Sequence, residues 1–138
     1  MQQQELEKLM ADSAEDAVKI TQEEIGQVLD FTLDSVVHVD TAIHHFLDTY
    51  REEALEDKTI FTLCHMYGAY LGETFKKLLG GNWLYDESKP EAPHVFWQYQ
   101  DKTFAFSGVC YERLVRDSEI SVAAYFAQAL DQSKQALN

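Results

Sequence analysis

The chain has 138 residues, 46% apolar and 25% charged, the balance of one globular domain with room for a single core. Its 24 acidic residues against 11 basic give a formal charge of −13. That argues against a nucleic-acid binder and against docking on an anionic membrane, since both are held through Lys and Arg.

Residues 2–20 read as a helix with the apolar stripe Leu6, Leu9, Met10, Ala14 and Ala17. Its first turns are polar, so it is placed at the periphery of the domain. Thr21 followed by Glu24 has the spacing of a capping box, which predicts a separate short helix from about residue 22 to 30. Asp34 or Ser35 is the expected cap of a helix running to about residue 55. Val36, Val39, Ile43, Phe46, Leu47, Tyr50 and Ala54 form its apolar face. His38, Thr41, His45, Asp48 and Glu52 lie opposite and should face water.

The segment 57–79 is apolar nearly all round, the mark of a central helix. Gly68 and Gly72 stand one turn apart in it. Each costs about 1 kcal/mol of helix propensity, a cost explained by another element approaching the bare backbone. Gly80 and Gly81 end the helix.

The period then changes. Residues 83–85 and 94–99 alternate as strands, with a proline-containing loop over 86–93. A turn at 100–102 returns the chain as a third strand, 103–106. Ser107 caps a helix to about residue 116, Asp117, Ser118 and Glu119 break it, and a last helix covers 120–134. The expected fold class is α+β. About five helices carry a small three-stranded antiparallel meander between the central and C-terminal helices, in a single domain over 1–138.

The charge is uneven. Residues 1–60 hold 15 acidic and 4 basic residues, net −11, whereas residues 61–138 hold 9 and 7, net −2. Aromatics run the other way, 3 against 14. The first 60 residues therefore read as an acidic, solvated helical layer over an aromatic core. No run approaches the roughly 18 apolar residues of a membrane span, and the N-terminus lacks a basic and an apolar signal region. The expectation is a cytoplasmic protein. Cys64 and Cys110 fit no zinc or redox spacing and read as buried reduced thiols.

The string Tyr67-Gly68-Ala69-Tyr70-Leu71-Gly72-Glu73, followed by Gly80-Gly81-Asn82-Trp83, resembles small bacterial domain families of unknown function. These share a G-A-Y-L-G-E helix, a G-G-x-W helix-to-strand corner and a hairpin. The resemblance covers roughly residues 25–130. It implies an α+β fold and transfers no catalytic residues. Similar small acidic bacterial proteins are sometimes immunity partners of toxins, an analogy of size and charge.

Glu73 stands out as a carboxylate on a central helix. Such a group is either a general acid or base with a raised pKa, or a structural carboxylate paired with Lys76, Lys77 or backbone N–H groups. Asp40, His44 and Asp48 recur every four residues, but a solvated helix face offers too few converging ligands, and no metal or other cofactor is expected. No nucleophile elbow, phosphate loop or H-E-x-x-H is present.

Two functional readings follow. The first is a non-enzymatic interaction module whose acidic helices meet a basic protein, in its most concrete form an immunity-type protein shielding a basic toxin. Its partner face would carry Asp40, Asp48, Glu52 and Glu53. The second is a small enzyme or ligand-binding domain with a site around His65, Glu73, Trp83 and Trp97. A homodimer through a sheet edge or the hairpin is a third option.

Overall fold

Helix α3, Asp57–Leu78, is the axis of the molecule. Eleven of its residues, from Leu63 to Phe75, are buried. In this computed structural model, which describes residues 2–49, 56–88, 94–116 and 119–135, every other element packs directly or indirectly on it. Helix α1 spans Gln3–Ile25 and α2 Val37–Thr49, entered through a 3-10 turn at Leu33–Val36. The strands β1 (Asn82–Asp86), β2 (His94–Tyr99) and β3 (Lys102–Phe104) form one antiparallel sheet in that order. Helix α4 (Phe106–Tyr111) passes into a π-helical turn at Glu112–Arg116, and α5 (Val122–Gln135) closes the chain. The fold is α+β, with the meander between the central and C-terminal helices.

Alternation along the strands sends one face inward. Trp83 pairs with Trp97 across β1 and β2, and Trp97 pairs with Phe104 across β2 and β3. Phe75 of α3 meets that face. Its ring lies 5.5–6.2 Å from those of Trp97, Tyr99, Phe104, Phe106 and Phe126. Sheet, α3, α4 and α5 therefore share one aromatic core, and aromatic pairs at such separations stabilise beyond their buried area.

The two helical glycines do what their cost suggested. A Cβ on Gly68 would stand 2.8 Å from the backbone of Ser107 in α4, and one on Gly72 would run into the ring of Trp83.

Four local expectations are corrected. The capping box at Thr21 does not form, and no separate helix covers 22–30. Thr21 is fully buried inside α1, and its hydroxyl bonds the Tyr67 hydroxyl at 2.9 Å. With that side chain satisfied, α1 continues to Ile25 and ends on Gly26 in the left-handed region, φ 68°. The cap before α2 is Thr32, whose Oγ1 accepts from Ser35 N, rather than Asp34 or Ser35. Ser107 lies inside α4 rather than capping it. Helix α5 begins at Val122 rather than residue 120, because Ser121 and Asp40 accept its first N–H groups. Tyr50, Ala54 and the 89–93 part of the hairpin loop lie outside the described residues. Among the described residues no helix is long and apolar enough to cross a membrane.

Candidate functional site

The row Asp57, Phe61, His65 and Gly68 runs along one side of α3 at spacings of three and four. At Gly68 the backbone of α4 touches the helix. One and two turns earlier the same side of the helix carries the larger side chains of His65 and Phe61. A groove of about 450 Å³ results, walled by α3, the N-terminal end of α4, the loop end of the β1–β2 hairpin and Leu9 of α1. Its lining is mainly apolar. Phe61 is 69% exposed, and its ring stacks on that of His65 at 5.7 Å and 13°. Partial burial holds the His65 pKa below its usual value, which favours the neutral imidazole. Burial pushes the Cys64 thiol, which also lines the groove, up to about 12.

Glu73 lies elsewhere. Eight residues of helix place it about 12 Å along the axis from His65. It borders a separate cleft of about 460 Å³ together with Asp12, Glu15, Phe31, Lys76 and Lys77. Its Oε2 accepts from the Trp83 indole at 3.2 Å, so its partner is an aromatic N–H on β1 rather than a lysine. Lys77 instead places its ammonium 4.4 Å from the centre of the Phe31 ring.

Trp83 and Trp97 belong to neither opening. Trp97 is fully buried, and the two indoles meet edge to face at 4.9 Å. Among the described residues the Trp97 Nε1 has no hydrogen-bond partner. The backbone of Gly81 passes so close that a Cβ there would lie 2.8 Å from it. Of the four residues expected to form one site, His65 stands apart in the groove, whereas Glu73 at the second cleft is linked to the core tryptophans through its bond to the Trp83 indole.

No family model, curated protein or solved structure matches this chain.

The functional reading therefore rests on its own surfaces. Of the residues expected on a partner face, Asp40 is turned inward. It accepts the N–H groups of Val122 and Ala123, and the Arg113 guanidinium approaches it at 3.6 Å. Arg113 is itself buried, and among the described residues its Nη1 has no hydrogen-bond partner. Asp48 is exposed on α2. Glu52 and Glu53 lie outside the described residues. With Asp40 engaged, the Asp40–His44–Asp48 row offers no cation site, and among the described residues no group of three or more His, Cys, Asp or Glu is placed to hold a metal.

The acidity is concentrated on α1. Glu5, Glu7, Asp12, Glu15, Asp16, Glu23 and Glu24 are all exposed there, against only Lys8 and Lys19. Lys8 is tied to Asp12 at 2.9 Å, and Glu24 bonds His45 at 3.2 Å. The signal for this surface was available. The buried stripe Leu6, Met10, Ala14 and Ala17 leaves most of those carboxylates on the outer side of the wheel. Leu9 and Phe61, apolar yet exposed beside the groove, carried no such signal, because each also fits a core stripe.

Proposed function

We propose that this chain is an acidic interaction domain for a basic protein, the role an immunity-type protein plays towards a basic toxin. The observation that carries the reading is the outer surface of α1, seven exposed carboxylates against two lysines on one helix. Carboxylates spaced along one rigid rod act together within a Debye length, about 10 Å at 0.1 M salt. They raise the encounter rate of a cationic partner and disfavour anionic ones. Asp48 extends the same polarity onto α2, whereas Asp40 serves the fold.

The test is co-purification of the tagged chain from its organism of origin, followed by association kinetics of the captured protein across a salt series. A basic partner is expected, with an association rate falling as salt rises and falling about tenfold or more when Glu5, Asp12, Glu15 and Asp16 are replaced by Lys. A partner without excess Lys and Arg, or a rate indifferent to salt and to the four substitutions, overturns the reading.

A further inference from the structure

We infer that the groove beside Phe61 and His65 receives a large apolar side chain of that basic partner, with Lys or Arg residues of the same segment on the carboxylates at its rim. The inference rests on the partner reading above and says where the partner's anchor sits.

Phe61 and Leu9 are 69% and 41% exposed, and they stand at the edge of an opening rather than singly on the surface. The volume, about 450 Å³, is within the usual range for an occupied site. Partner interfaces commonly combine such an apolar centre with a polar rim, and a buried aromatic or aliphatic anchor dominates the binding.

The rim is charged in a consistent sense. Neighbours on a helix surface are four residues apart. Glu5 stands one turn before Leu9 on α1, Asp57 one turn before Phe61 on α3, and Glu112 one turn after Gly108 at α4. Each helical wall of the groove therefore leads to a carboxylate. Of the cations nearby, Lys8 is held by Asp12, and Arg116 lies 3.7 Å from Glu112. Among the described residues, Lys58, three residues before Phe61, is the remaining positive charge on these helices beside the groove. Glu5 and Asp57 thus face an incoming segment with little local compensation. His65 also lines the groove, and its burial favours the neutral imidazole, which adds no fixed positive charge there. An apolar anchor flanked by cations matches both the walls and the rim.

The test follows backbone amide shifts of the ¹⁵N-labelled full chain during titration with three capped pentapeptides: Lys-Lys-Phe-Lys-Lys, Lys-Lys-Ala-Lys-Lys and Glu-Glu-Phe-Glu-Glu. The first is expected to move the amides of Leu9, His65 and Ser107, and to bind about tenfold or more tightly than the other two. Phe61→Ala, at a site exposed enough to leave the fold intact, should bring its affinity down to that of the Ala peptide. Equal binding of the Phe and Ala peptides along α1, with the groove amides still, overturns the groove assignment and leaves the partner reading standing. Groove shifts that are the same for Lys-flanked and Glu-flanked Phe overturn the charged rim. Absence of binding by either Lys-flanked peptide overturns both inferences.

Discussion

Asp40 of α2 caps the helix that begins at Val122, some eighty residues later in the chain: its Oδ1 accepts the Val122 N–H at 2.8 Å. Its Oδ2 accepts the next N–H, that of Ala123, at 2.9 Å. The same carboxylate is the charge partner of buried Arg113. Asp40→Ala should therefore destabilise by about 3 kcal/mol. About 1 kcal/mol comes from the lost cap, and the rest from a guanidinium left buried without its counter-charge. Asp40→Asn keeps an acceptor for the cap and should lose less. Urea denaturation measures both, and a loss below about 1 kcal/mol for the Ala variant would contradict this role.

Gly68→Ala tests the contact between α3 and α4. The substitution improves helix propensity by about 1 kcal/mol. It also drives a methyl group to 2.8 Å from Ser107 backbone, which cannot step aside as a flexible side chain can. The overpacking term, about 1–3 kcal/mol or more, should win and give net destabilisation. A thermal melt at or above wild type would show that α4 yields.

Tyr67 and Thr21 form a buried pair whose members need each other. Tyr67→Phe leaves the Thr21 hydroxyl without its partner and should cost about 1–2 kcal/mol. Adding Thr21→Val should recover part of that loss, since both polar groups are then gone. A double-mutant cycle reads the coupling directly, and additive losses would deny the bond.

His65 makes a pH prediction with a definite sign. Burial lowers its pKa in the folded chain, while the unfolded value stays near 6.5. Between the two the unfolded state binds more protons, so stability rises with pH and is lost as pH falls below about 6.5. His65→Gln should flatten that part of the stability profile. An unchanged profile would mean that the imidazole is as well solvated folded as unfolded.

The thiols should be silent in the native state. Burial raises Cys64 to about 12 and holds Cys110 well above the ordinary thiol range. Labelling by a thiol reagent at mildly alkaline pH is expected only on unfolding, with a rate that follows denaturant. Mass spectrometry distinguishes this from prompt labelling of Cys64 through the groove.

What was legible in the sequence was periodic. The all-round apolar character of 57–79 marks α3 as central, and the alternation at 94–99 marks β2, because both patterns are local consequences of helix and strand geometry. The Gly68 and Gly72 pair announces close approach, though not by which elements. Helix ends were less legible. Thr21 has the spacing of a cap, and only the Tyr67 hydroxyl opposite it explains why the helix runs on.

The sequence by itself determined the α+β class, the central helix, the meander and the acidity of the first sixty residues, since these depend on composition and on spacing along one element. Tertiary structure alone decided what each polar group does. Asp40 looks like a surface carboxylate until α5 is placed against it. Trp83 and Trp97 look like pocket aromatics until the sheet closes over Phe75. A carboxylate or an indole takes its role from the partner it meets, and here those partners come from distant parts of the chain. The physical reason is that hydrogen bonding and desolvation act through space over a few ångströms, whereas periodicity records only which side of an element faces the core.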